Sequence, residues 1–130
     1  MFRLASIAGK STRPRRAVVT GAGGGIGAAL ATQLAAAGTA LVLVDNNPEA
    51  LARVAGLCSD LGIPVSSWEV DVADHAAVVN AVRQIVEDDG PPDALFNVAG
   101  LIHHGLLVDS DFADIQRIIQ VDLLGTISCC

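Results

Sequence analysis

A chain of 130 residues with 52% apolar and 17% charged side chains has the size and composition of one globular α/β domain, which excludes the disordered and disulfide-scaffold classes. No apolar run approaches the ~20 residues needed to span a bilayer, so no membrane partner is expected. The formal net charge is −6, and all fourteen acids follow position 17, an acidic body without a basic stripe that argues against nucleic acid as a partner.

Five of the eight basic residues (Arg3, Lys10, Arg13, Arg15 and Arg16) precede that acidic body. Residues 1–15 read as a solvated, disordered basic tail, or as a targeting peptide, being rich in Arg and Ser and free of acids. The apolar stretch Leu4–Ala8 is too short for a secretory signal. Cys58, Cys129 and Cys130 form no C-x-x-C pattern and lie far from His103 and His104, so spacing offers no metal site. Free thiols imply a reducing compartment, which makes the cytoplasm the expected location.

Arg16–Thr20 is a β-branched run that ends at a glycine cluster and reads as a buried strand. From Gly25 to Gly38 no residue is charged, Ile26, Leu30 and Leu34 fall on one helical face, and Gly38 stands where a C-cap glycine belongs. Ala40–Val44 is apolar throughout, as for a strand covered on both faces. A helix over Pro48 to about Leu61, a strand over Val65–Val72 and a helix over Asp74–Asp88 follow. Gly90-Pro91-Pro92 breaks the chain before a fourth strand, Asp93–Asn97, and a polar loop then leads to a helix from about Ser110. Strands alternating with helices predict right-handed βαβ crossovers and a parallel sheet within one domain, residues 16–130.

Chemistry concentrates at the strand ends. Thr20-Gly21-Ala22-Gly23-Gly24-Gly25-Ile26-Gly27 joins the first strand to the first helix, and such glycines let a backbone approach a pyrophosphate seated over a helix N-terminus. Asp45 directly follows the second strand, 18 residues beyond Gly27. A carboxylate there accepts adenosine ribose hydroxyls and repels a 2′-phosphate; the bland alternative is a cap for the turn at Asn46-Asn47-Pro48. No basic residue occupies the glycine loop or directly follows Asp45, which favours NAD over NADP as cofactor.

The loop matches the Thr-Gly-x-x-x-Gly-x-Gly pattern through Thr20, Gly21, Gly25 and Gly27, and in this it resembles the short-chain dehydrogenases/reductases. Two further stretches are similar to family motifs in the right order. Asp71-Val72 resembles the acid-plus-aliphatic pair that holds adenine, and Asn97-Val98-Ala99-Gly100 resembles the Asn-Asn-Ala-Gly turn beside the adenosine. Asp71 as a helix cap and Asn97 as a turn residue are the plain alternatives. The resemblance implies a Rossmann-type, doubly wound parallel sheet in strand order 3-2-1-4. It also implies hydride transfer between NAD(H) and a small alcohol or carbonyl substrate, with a homo-oligomer only for a full-length protein.

The pattern is broken in three places, the first being Val98 in place of the second Asn of the turn. Val121-Asp122-Leu123-Leu124-Gly125 resembles Val-Asn-Leu-x-Gly, which makes Asp122 a weak catalytic candidate at the family's Asn position. A carboxylate there only accepts hydrogen bonds, and an ordinary helix residue is an equal reading. The family's Ser and its Tyr-x-x-x-Lys acid–base pair have no counterpart: there is no Tyr, and the one Lys is Lys10. His103 and His104 could titrate near neutrality but read as solvated loop residues. The fourth strand is then an uncovered sheet edge and the last helix reaches Cys130 without a stop signal, so the domain reads as incomplete at its C-terminus. The chain alone is expected to be inactive. A non-catalytic NAD-binding module is the alternative, and a methyltransferase a distant third reading.

Overall fold

The computed structural model describes residues 13–130. The expected tail thus lies outside the described residues as far as position 12. Its last members are tied to the domain: the Arg13 guanidinium donates to the Ala37 carbonyl. The N–H groups of Arg15 and Arg16 donate to the Asp93 carboxylate at 3.0 and 2.9 Å and hold its carboxyl below the usual carboxylate range.

Four strands, β1 (Arg16–Thr20), β2 (Ala40–Asp45), β3 (Val65–Glu69) and β4 (Ala94–Asn97), pair in parallel in the order β3-β2-β1-β4. Because side chains alternate along a strand, the apolar runs feed two cores. Ala17, Val19, Leu41 and Leu43, at most 2% exposed, pack with Ala31, Ala35, Leu51 and Val54 of α1 (Gly25–Ala36) and α2 (Pro48–Ser59). Val18, Val42 and Val44 pack on the opposite face with Val78, Ala81 and Ile85 of α3 (His75–Asp88). The sheet is therefore doubly wound. Asn47 and Asp74 cap α2 and α3 by accepting the N–H groups of Ala50 and Ala77.

Two elements differ from the sequence expectation. β3 stops at Glu69 instead of reaching Val72, because β2 ends at Asp45 and the chain then turns. Asp71 Oδ1 accepts the Ala73 N–H at 3.0 Å, a local turn that competes with the strand ladder. The single helix expected from about Ser110 is segmented. A 3-10 turn at Leu107–Asp109 precedes α4 (Phe112–Ile118), capped by Asp111, and the helix widens into π turns over Ile119–Gly125 before α5 (Thr126–Cys129). The π segment keeps Val121 and Gly125 buried and brings Asp122 onto the loop that follows β4.

Among the described residues no helix is long and apolar enough to cross a membrane, and Cys58, Cys129 and Cys130 are all free thiols.

Candidate functional site

The C-terminal ends of the strands open into a crevice of about 450 Å³. Its first wall is the glycine turn. Gly21 has φ +65°, a left-handed conformation that side chains disfavour, and a Cβ there would lie 2.7 Å from the backbone of Ala99. Gly27, buried in the first turn of α1, leaves no room for a Cβ against the Gly21 carbonyl oxygen. The turn is thus wedged between a helix and the loop after β4 at a separation only glycines permit. Gly24 provides no side-chain cap, and the first intrahelical bond runs from the Ala28 N–H to the Gly24 carbonyl at 2.8 Å. The N–H groups of Gly25, Ile26 and Gly27 therefore precede the helical ladder, and these three residues line the crevice.

Polar struts fix the remaining walls. Asp45 Oδ2 accepts the Gly23 N–H at 2.8 Å and Oδ1 accepts the Asn47 N–H at 2.9 Å, so the end of β2 is bound to the glycine turn. Thr20, 2% exposed, accepts the N–H groups of Val98 and Ala99 at 3.1 and 3.2 Å and pins the loop after β4 to the end of β1. Asp71 pairs through Oδ2 with Arg117 Nη2 at 2.7 Å. Partial burial raises the Asp71 pKa, but the Arg117 guanidinium and the Ala73 N–H outweigh it and hold the carboxyl below its ordinary value. Asp122 Oδ1 accepts the Leu101 N–H at 2.8 Å.

Of the residues singled out from the sequence, Gly21, Gly23, Gly24, Gly25, Ile26, Gly27, Asp45, Asp71, Val72, Val98, Ala99 and Gly100 line this one crevice. Thr20 and Asn97 do not: Thr20 is committed to its strut, and the exposed Asn97 amide lies 3.6 Å from Cys130 Sγ. Asp122 sits behind the wall on the Leu101 N–H. His103 lies 3.9 Å from Asp114 on the exposed loop, and neither His103 nor His104 lines the crevice.

Sequence reasoning missed Arg117, a crevice-lining cation that motif spacing does not mark, and it missed the reach of α2. Arg53, outside the glycine loop in sequence, approaches the Gly23 carbonyl at 3.4 Å, so a basic group stands beside the turn. The signal for it was helical spacing: Ala50 lines the crevice, and Arg53 is one turn further along the same face. Among the described residues no group of three metal-ligating side chains occurs.

Helices on both faces of a parallel sheet, with a crevice at the strand C-termini beside a glycine turn, define a Rossmann-type domain. A family model described as short chain dehydrogenase matches residues 15–130, and the chain belongs to that family. The meso-2,3-butanediol dehydrogenase of Serratia marcescens is 36% identical over 115 residues, covering 86% of this chain and 44% of that protein. An NAD+-bound xylitol dehydrogenase structure superposes with TM-score 0.85 at 35% identity, covering 88% of this chain and 45% of the other. An alcohol dehydrogenase from Thermococcus sibiricus, complexed with 5-hydroxy-NADP, gives TM-score 0.84 at 31% identity over 88% of this chain and 49% of that one. The chain spans less than half the length of each of these three.

Proposed function

We propose that the crevice binds the adenosine and pyrophosphate parts of a nicotinamide dinucleotide, and that the protein is an oxidoreductase acting on a small alcohol or carbonyl compound. One observation carries the reading: the uncapped start of α1 shares a single crevice with the carboxylates of Asp45 and Asp71. The fit is chemical. Free N–H groups at a helix N-terminus favour an anion, and no Cβ projects from Gly23, Gly24 or Gly25 to keep a pyrophosphate away. Asp45 has lone pairs beyond those used by Gly23 and Asn47, and these suit ribose hydroxyls. Val98, Ala99 and Gly100 close the adenosine side, and the Asp71-Val72 stretch meets the base. When bound, the dinucleotide supplies the hydride acceptor or donor. The described residues supply binding and orientation.

Asp45 favours NAD over NADP by its charge, and Arg53 tempers that preference from the other side of the turn. Arg53→Ala should therefore widen the preference for NADH, and Asp45→Ala should narrow it. The free thiols suit a cytoplasmic location.

A second reading, a dinucleotide-binding module without turnover, is favoured by one feature of the chain. It contains no Tyr, the residue type of the family's acid–base pair. Positioned acid–base catalysis contributes about 10²–10⁴-fold, and no described residue on the crevice offers it.

The test is a titration of the purified chain with NADH, followed by an assay with ketones and aldehydes. Saturable binding without turnover is the expected result for this chain. Absence of binding would overturn the dinucleotide reading, and clear turnover would overturn the assignment of roles within it.

A further inference from the structure

We propose that Cys129 and Cys130 form a two-thiol capture site for an aryl-substituted arsenic(III) centre, with the aryl group seated in the apolar groove between α3 and β4. The inference goes beyond the dinucleotide reading and does not depend on it. On the α3 face of the sheet a groove of about 240 Å³ is lined by Val18, Val82, Val86 and Leu95, and both cysteines line it too. Strand register sets where they stand. Thr20 pairs with Asn97 and Val18 with Leu95, two rows about 7 Å apart. The Asn97 amide donates to Cys130 Sγ at 3.6 Å, so that sulfur stands at the head of the groove, one row above Leu95. Cys129 packs beside it against the cluster that holds Val18, Val78 and Ile85.

Two free thiols on consecutive residues can act as a chelate. Their Cα atoms are about 3.8 Å apart, so an atom held by one sulfur meets the second without a further encounter. A tetrahedral metal needs about four ligands, and among the described residues no group of three metal-ligating side chains occurs. An arsenic(III) centre that already carries one carbon substituent needs only two sulfurs. The exchange balances. The As=O oxygen of an aryl-arsenic oxide leaves as water with both thiol protons, two As–S bonds form, and arsenic stays trivalent. Neutral thiols suffice for this step, which suits Cys129, because burial and the neighbouring Cys130 hold its thiol above the ordinary value. The aryl ring then covers Val82, Val86 and Leu95, apolar side chains otherwise left open to water. The third thiol, Cys58, is fully buried in the core on the other face of the sheet and cannot compete.

The experiment treats the full, reduced chain with phenylarsine oxide and follows intact mass and free thiols. One phenylarsenic group should bind per chain and consume two of the three thiols, and it should survive excess monothiol but not excess dithiol. Cys58→Ser should behave in the same way. Cys130→Ser, at an exposed position, leaves a single sulfur at the site. Its retention against monothiol should fall by about a hundredfold or more, the gain expected of a second intramolecular contact. An adduct that survives monothiol in this variant, or one that needs Cys58, overturns the proposal, as does independent labelling with one group on each thiol. Methylarsine oxide tests the groove, because it makes the same two-sulfur demand without a ring. Measured against a free dithiol competitor, the folded chain should favour the phenyl compound by about tenfold or more, as for a ring buried in apolar surroundings. Val82→Ser and Leu95→Ser, or unfolding in urea, should bring that preference to within about threefold. No preference in the folded chain, or one that persists in urea, refutes the seat in the groove and with it the proposal.

Discussion

The sheet carries two hollows of opposite character. The crevice at the strand ends, about 450 Å³, is walled by backbone and by carboxylates held by the Gly23 N–H, the Ala73 N–H and the Arg117 guanidinium. The groove beneath it, about 240 Å³, runs along α3 and α5 and is lined by Val18, Val44, Val82, Val86 and Leu95 among other apolar groups. Val82, Val86 and Leu95 are 46%, 43% and 36% exposed, values that belong to surface side chains although their chemistry is that of a core. The contrast separates two meanings of a cavity. Apolar area without directional groups offers affinity and no orientation. The crevice invests its polar groups in fixing one another, so a ligand meets a shape already set.

The largest effect should come from filling the space that the glycine turn requires. Gly21→Val adds a β-branched side chain at φ +65° against the Ala99 backbone. It should destabilise the chain by at least the ~1–3 kcal/mol of an overpacked core and abolish dinucleotide binding in whatever fraction folds. Thermal unfolding and an NADH titration read both effects. Retention of wild-type affinity would mean that the turn is not part of the site.

Asp45→Ala comes next. It removes an acceptor from two backbone N–H groups and from the proposed ribose contact. NADH affinity should fall about tenfold or more, on the scale of a charge-assisted hydrogen bond, while NADPH loses less because a repulsion disappears with the carboxylate. The NADPH-to-NADH affinity ratio is the measurement, and a ratio that does not rise would remove Asp45 from the account.

These two positions were legible because their chemistry is local. A glycine turn between a strand and a helix, with an acid just after the next strand, can be read along the chain, as can the strand–helix alternation of a parallel sheet, whose order 3-2-1-4 came with the family resemblance. The rest of the crevice depends on contacts between distant residues. Thr20 meets Val98 across 78 positions, and Arg117 meets Asp71 across 46. No spacing rule announces such pairs. The strut at Thr20 is of this kind: its hydroxyl accepts the Val98 and Ala99 N–H groups, which the glycine pattern does not mark. The widening of the last helix was equally hidden, since it accompanies the contacts of Asp122 and Gly125 with loops built elsewhere.

Acid should destabilise the chain by a smaller amount. Asp71 and Asp93 both have folded-state pKa values below their ordinary 3.8. Each therefore contributes stability that is present above the unfolded value and is lost as pH falls through the folded one. The melting temperature should be flat above about pH 5 and decline below about pH 4. Arg117→Met should lessen that decline, because Asp71 then titrates nearer its unfolded value. An unchanged pH profile in this variant would show that the pair adds nothing to the fold.

The smallest effect belongs to the groove. Val82→Ser and Leu95→Ser alter half-exposed side chains that touch no crevice residue by hydrogen bond, and dinucleotide affinity should stay within about twofold, as for surface substitutions generally. A large loss in a variant that melts normally would make the groove part of the site.

Amide chemical shifts of the chain during titration with NAD test the central claim most directly, because they report both hollows in one experiment. The account predicts that the N–H signals of Gly21–Gly27, Asp45–Asn47, Asp71-Val72 and Val98–Leu101 move and saturate together, while those of Val82, Ile85, Val86 and Leu95 stay in place. Shifts confined to the α3–α5 groove, or none at saturating cofactor, would contradict it.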